Sequence, residues 1–414
     1  MLSLTAFGLF ASAYAADTQL YTHSWDTVGD VIGMHGKTSN FETLPDAETL
    51  KFIAENYPLT TSGSGCPKNG TIEEGMLAFG EAIKGYNSET KVGMYWRTDM
   101  ALEVPQCSAG AKEWADHASD WSLKDDQGNP VDKHGSAMFD YSNPEFCAFF
   151  TNLLLDLLKP TVSKDVPTID YIYFDGPGGS PTEFADGIGP ERSAQILQDK
   201  MNFFTNFQES LNAKGLGQNC FLNGVDDVEA AQLLATTGAS GIMFDHWSIL
   251  QFLFRGPVPN EGQFNTTLMN EAFELVTSDV LSNVSVLVKG WPGPIVKQKD
   301  EYPSNLPQPA TPEDYQQIAG DRFNNELALF LLVAEDKDWW QYSWFWGFDD
   351  WVPNQPDSTV PSDFFPETKC QLGAPKGKYT TKDQIVFTRN FEYATVTVNL
   401  NNRTDSKVTF LGKC

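Results

Sequence analysis

Tyr171-Ile-Tyr-Phe-Asp175-Gly176 and Gly241-Ile-Met-Phe-Asp245-His246 are apolar runs of strand length that each stop at a carboxylate. An unpaired charge inside a buried strand is costly. An aspartate in this place therefore belongs at the strand's C-terminal tip, where α/β folds build their sites. Two such runs, two strand–helix units apart, predict two acidic groups at one end of a parallel sheet.

Working outward, further apolar, β-branched or aromatic runs alternate with helix-like segments. Residues 31–35, 59–62, 91–97, 170–174, 220–223, 241–244, 286–289 and 341–346 read as strands. Helices are expected over 46–56, 72–86, 191–213, 227–235, 267–276 and 312–334. Another begins at Ser142-Asn143-Pro144-Glu145, which carries capping residues and a first-turn proline. A long loop is expected through 120–129. Strand and helix in eightfold alternation predict an α/β fold, a (β/α)8 barrel. A doubly wound open sheet is the alternative, and the lack of GxGxxG after an early strand counts against it. Residues 16–351 are read as the barrel and 352–370, rich in Pro, Asp and Ser, as a connector. Runs at 384–388, 394–399 and 407–411 make 371–414 a small antiparallel β-sheet domain.

Residues 1–15 form a short apolar stretch ending Ala13-Tyr14-Ala15, the pattern of a secretory signal peptide. No later segment approaches the length of a membrane helix, so the mature chain is expected to be secreted and to act as a monomer. Cys66, Cys107, Cys147, Cys220, Cys370 and Cys414 form no CxxC and no His-paired metal spacing. Disulfides are expected instead, between sequence neighbours: Cys66–Cys107, Cys147–Cys220 and Cys370–Cys414. Sequons stand at Asn69, Asn265, Asn283 and Asn402, the third beside an expected strand. The net charge of -27, from 55 acidic and 28 basic residues, repels nucleic acid and anionic membranes. A neutral glycan is the partner that fits this field, although most of these charges serve solubility.

Glycoside hydrolysis needs two carboxyl groups flanking the scissile bond, one to give a proton and one to attack carbon or activate water. Asp175 and Asp245 are the candidate catalytic pair. Gly176-Pro-Gly-Gly179 after Asp175 has little side-chain bulk and admits close approach of a ligand. Candidate substrate-binding residues are His35, Trp96, Arg97, Asn223, His246, Trp291, Trp346 and Asp349. Indole rings combine an apolar face with a polar N–H, which suits a sugar ring and its hydroxyls. Ordinary core packing is the competing role for each tryptophan, and turn or rim ion-pair duty for each aspartate. No GxSxG, HExxH, P-loop or EF-hand pattern occurs, so no cofactor and no metal is expected. A non-catalytic carbohydrate-binding barrel and a metal-dependent hydrolase using His35, Asp175 and Asp245 are the alternatives.

Tyr-Ile-Tyr-Phe-Asp175-Gly, the upstream Phe139-Asp-Tyr-Ser-Asn-Pro-Glu145 and the trailing β-sheet resemble the TIM-barrel glycoside hydrolases, in particular the hypothetical glycosyl-hydrolase-like families. A more distant similarity is to the α-galactosidase-type clan. It implies Asp175 as nucleophile and Asp245 as acid/base, with retention of configuration. The clan places a lysine two residues before the nucleophile, where this chain has Tyr173. It also places an acidic pair after the first strand, where Gly33-Met-His-Gly36 stands. The resemblance thus implies carboxylate catalysis rather than α-galactoside specificity.

Overall fold

The computed structural model describes residues 22–35, 44–63, 66–102, 104–133, 135–158, 167–177, 188–216, 220–224, 228–245, 247, 265–292, 312–342 and 365–414. Its chain order begins with strands β1 (Gly33–His35), β2 (Leu59–Ser62) and β3 (Lys91–Arg97). A small hairpin follows, β4 (Asp132–Lys133) with β5 (Ser136–Ala137). Then come β6 (Tyr171–Asp175), β7 (Cys220–Asn223), β8 (Gly241–Phe244), β9 (Ser285–Gly290) and β10 (Trp339–Tyr342). Apart from the hairpin, these strands make one eight-stranded sheet in the order β1-β2-β3-β6-β7-β8-β9-β10, and every neighbouring pair is parallel. A parallel bridge between Ile32 and Trp340 links the two outer strands.

Helices cross between the strands at Ala47–Asn56, Ile72–Tyr86, Pro144–Leu157, Pro190–Ala213, Val228–Ala235, Thr266–Val276 and Pro312–Val333. Their starts carry the expected chemistry. Asp46 accepts from the Thr49 amide, and Thr71 and Glu74 form a reciprocal capping box. Asn143 accepts from the Glu145 and Phe146 amides, with Pro144 in the first turn. Gly215, at the end of the Pro190–Ala213 helix, takes φ +72°, as a C-terminal glycine should.

Side chains alternate across each strand. One face of the sheet carries Leu59, Tyr171, Tyr173, Phe221, Met243, Leu287 and Trp339, which pack together with Tyr95. The other carries Val92, Met94, Trp96, Ile172, Phe174, Leu222, Ile242, Phe244, Val286 and Val288, buried in the larger core that includes the helices. On the first face large rings are matched to glycines. A Cβ on Gly93 would lie 2.1 Å from the Tyr171 ring, and one on Gly241 2.2 Å from Phe221. The Tyr171 hydroxyl donates to the Thr60 carbonyl at 3.0 Å and lies 2.7 Å from Thr61 Oγ1, so the ring's polar end is satisfied.

The C-terminal sheet joins β11 (Thr380–Thr381), β12 (Val386–Asn390), β13 (Ala394–Asn399) and β14 (Lys407–Phe410) in antiparallel order. Along β13, buried and half-buried residues alternate. The sheet packs on the Pro312–Val333 helix, whose last turns, Leu327 to Val333, are buried on all sides. Arg389 of β12 donates to the carbonyls of Leu331 (3.1 Å) and Ala334 (2.6 Å) at that helix's end. Asn324 both donates to and accepts from Val408 of the outer strand β14.

Several expectations shift. Val31 lies in a 3-10 turn, and β1 begins at Gly33. Asp170 stands just before β6, buried, where it pairs with Lys84 at 2.7 Å and accepts from the Val92 amide. The last parallel strand starts at Trp339, and 343–346 lie outside the described residues. An unexpected helix, Ala111–Trp121, leads into the loop at 120–129. Trp114 and Trp121 are its only large apolar residues and alone are buried, so the periodicity is faint. The expected signal segment 1–15, most of the expected connector and residues 344–351 also lie outside the described residues. Among the described residues no helix is long and apolar enough to cross a membrane. All four sequon asparagines are exposed, Asn283 included.

Disulfides join Cys66 to Cys107 and Cys370 to Cys414, as expected. The third expected pair is corrected: Cys147 and Cys220 are free thiols. Cys147 lies in the first turn of the Pro144–Leu157 helix, with its Sγ donating to the Tyr141 carbonyl. Tyr141 in turn donates to Thr98, just beyond the C-terminal end of β3. Cys220 opens β7, at the N-terminal end of the parallel strands. Sequence proximity could not reveal that strand direction separates them. Burial pushes the Cys147 thiol up to about 11 and the Cys220 thiol well above its usual range.

Two outcomes are expected. Thiol titration of the unreduced, denatured chain gives two reactive thiols, and peptide mapping assigns them to Cys147 and Cys220. Gly93→Val overpacks the face against Tyr171 and lowers stability in urea unfolding by about 1–3 kcal/mol.

Candidate active site

Asp175 is the last residue of β6, and alternation puts it on the same face as Tyr171 and Tyr173. The same rule applies across the sheet. Beyond the apolar layer of Tyr95, Tyr173, Phe221, Met243, Leu287 and Trp339, each strand's next residue on that face is polar: Arg97, Asp175, Asn223, Asp245, Lys289 and Gln341. Register keeps these residues at one end. Arg97 pairs with Asp175, and Lys289 with Gln341. Asp245 directly follows Phe244, whose partner Val288 precedes Lys289.

The hydrogen bonds converge on Asn223. Its side-chain Nδ2 donates to Asp175 Oδ1 at 2.9 Å and reaches Asp245 Oδ2 at 3.4 Å. Tyr95 donates its hydroxyl to Asp175 Oδ2 at 2.5 Å, and Arg97 Nη1 stands 3.6 Å from the same oxygen. The Tyr95 ring is stacked beside Tyr173, centroids 6.0 Å apart. Thr98 fixes the backbone from below, donating its amide (2.9 Å) and hydroxyl (2.7 Å) to the Asp175 carbonyl. The Asp175 side chain is 22% exposed, whereas Asp245 is 5% exposed. Asp245 is held through its backbone, since its carbonyl accepts from Trp291 Nε1 at 2.7 Å. The Lys289 ammonium lies 4.2 Å from the centre of the Trp291 ring, a cation–π contact in a fully buried setting.

Trp291 is itself gripped from outside. Arg403, from the 3-10 turn between β13 and β14, donates to the Trp291 carbonyl at 3.2 Å and forms a buried ion pair with Glu326. On the other flank Arg97 makes a two-point contact with Asp99, Nε and Nη2 each 3.0 Å from its oxygens. Lys133 reaches Asp99 at 2.6 Å from the β4–β5 hairpin. Burial opposes charge on Asp99, but the hydrogen-bonded Arg97, with Lys200 and Lys133, outweighs it and holds the carboxyl well below the usual range.

Asp175, Asp245, Asn223 and Arg97 are thus brought together. Trp96 and Trp291 are not sugar-facing platforms, a correction to the sequence expectation. Trp96 points to the helix side, fully buried and edge-on to Phe150. Alternation gives the inner positions to its neighbours Tyr95 and Arg97. Trp291 is fully buried as a buttress of Asp245. Trp247 also packs in the core, against Phe244 and Phe273. His246, Trp346, Asp349 and the side chain of His35 lie outside the described residues. Among the described residues no group of three or more His, Cys, Asp or Glu is placed to hold a metal ion. Sequence reasoning missed Tyr95, Lys133, Lys200, Lys289 and Gln341 as site residues. Lys289 carried the same signal as the aspartates, a charge closing an apolar strand run.

No protein-family model matches the chain, and no curated protein matches it. Solved structures similar to it include a GH36 alpha-galactosidase, AgaB, from Geobacillus stearothermophilus (10% identity, TM-score 0.38, covering 76% of this chain and 37% of that one). An alpha-galactosidase from Lactobacillus brevis gives 10% identity and TM-score 0.42, covering 89% and 45%. A cyclic alpha-maltosyl-(1→6)-maltose hydrolase from Arthrobacter globiformis gives 11% and 0.44, covering 92% and 85%. The chain spans less than half the length of these alpha-galactosidases. Likeness at such low TM-scores fixes neither chemistry nor substrate.

Asp99→Asn leaves three cations short of a buried partner. Unfolding at neutral pH is expected to show a loss of about 3–5 kcal/mol. The folded carboxyl is depressed, so its contribution is present above the unfolded value of about 3.9 and is lost as pH falls through the depressed one. The gap between wild type and variant therefore narrows on acidification below about pH 4, measured by denaturant titration across pH.

Proposed function

We propose that this chain is a glycoside hydrolase using Asp175 and Asp245 as its carboxyl pair, on a sheet closed as a (β/α)8 barrel spanning 16–351. One observation carries the reading: a single amide nitrogen lies 2.9 Å from one carboxylate and 3.4 Å from the other. The nearest oxygens are then no farther apart than the sum of those contacts. That limit accommodates the roughly 5–5.5 Å spacing of retaining enzymes and falls short of the roughly 6.5–9.5 Å range of inverting ones.

In this reading Asp175 is the nucleophile. Tyr95, Asn223 and Arg97 orient its carboxylate and balance its charge. Asp245 gives its proton to the leaving oxygen, then takes one from the water that cleaves the glycosyl–enzyme ester. The substrate is a neutral glycan, and residues 1–15 direct export. The burial of Trp96 and Trp291 removes two of the aromatic platforms that a purely carbohydrate-binding barrel would use.

Digestion of a glycan panel with product NMR tests the proposal. Wild type is expected to release product with retained anomeric configuration. Asp175→Asn is expected to keep its fold by circular dichroism and to lose hydrolysis by several orders of magnitude. Undiminished hydrolysis by Asp175→Asn removes the assignment.

A further inference from the structure

The peptide that follows Asp175 is held from two sides. Gly176 takes φ +71°, a conformation that favours glycine, and a Cβ there would meet Asp99 Cγ at 2.8 Å. Its carbonyl accepts a hydrogen bond from the Lys200 ammonium, which comes from the Pro190–Ala213 helix. Thr98 already fixes the preceding carbonyl, that of Asp175. Lys200 is therefore the one contact in this set that reaches the turn from the helix layer.

We propose that Lys200 is a positioning residue for Asp175, acting through the Gly176 carbonyl, and that loss of its proton weakens its hold on the turn. This deepens the reading of Asp175 as a reacting carboxylate and rests on it for its functional meaning. Lys200 is buried, and a buried ammonium persists only with partners. The groups around it are Asp99, Arg97 and Lys133 on one flank, Asp175 on β6, and the Tyr141 ring, 5.9 Å from its nitrogen. Burial pushes Lys200 down to about 8, with Lys133 and Arg97 acting the same way and Asp99 and Asp175 opposing. A deprotonated amine keeps two N–H donors, but it loses the charge that strengthens the bond to the carbonyl and balances Asp99.

The test needs no substrate. The full chain, labelled with 13C-aspartate and 15N-lysine, is titrated by NMR from about pH 6 to about pH 10, with Asp175→Asn assigning the carboxyl resonance. Wild type is expected to show an Asp175 inflection near pH 8 that coincides with titration of the Lys200 nitrogen. Lys200→Arg cannot lose its proton in this range. It should keep the low-pH Asp175 position throughout, while Lys200→Met, which has no donor at all, should show no inflection near pH 8 and a displaced Asp175 position at every pH. An Asp175 resonance that ignores Lys200 titration, or an inflection that survives in Lys200→Arg, overturns the proposal. If Lys200→Met fails to fold, the wild-type and Lys200→Arg titrations decide alone. A lysine acting only through space would shift the Asp175 carboxyl while leaving the Gly176 carbonyl, followed in a 13C-glycine-labelled sample, unmoved. An empty glycan panel would refute the hydrolase reading and leave this coupling intact, so the two failures are distinguishable.

Discussion

Two carboxyl groups that crowd a small space need a shared partner, and here it is the Asn223 amide. Its nitrogen stands within reach of Asp175 and Asp245 at once. Asparagine supplies donor hydrogens without adding charge. A lysine at this point would form two ion pairs and flatten the difference between the carboxylates. The amide instead lets their surroundings diverge. Asp175 faces a phenol and a guanidinium and is partly open to solvent. Asp245 is nearly sealed and is tied down through its backbone.

That placement depends on a rigid floor. The inner layer beneath the polar ring is built by fitting Tyr171 against Gly93 and Phe221 against Gly241. The rings fill space that side chains on neighbouring strands give up. Strand order and register follow from this fit as much as from backbone bonds. A slip of one residue would bring Phe174 and Phe244 to the inner face and turn Asp175 and Asp245 to the helices.

Much of this was legible in the chain. Strands 59–62, 91–97, 220–223 and 241–244 and the helix 72–86 could be read to the residue, because apolar runs and caps agree there. The strand-ending charge predicted where Asp175 and Asp245 stand, at the C-terminal ends of β6 and β8. What stayed hidden depended on contacts between distant segments. Trp96 and Tyr95 are adjacent aromatics, and composition does not say which one faces inward; the register of β3 with β6 does. Cys147 and Cys220 look like neighbours until strand direction separates them. Lys200 sits mid-helix in a polar stretch, and only tertiary packing brings it to Gly176.

The Arg403 contact with Trp291 has a consequence for how such a protein can be rebuilt. A guanidinium from the link between two strands of the trailing sheet steadies the indole that in turn steadies Asp245. The trailing sheet is thus no detachable accessory. Any lineage, or any engineer, exchanging it for another module must replace that one cation, or accept an acid group whose footing has come loose.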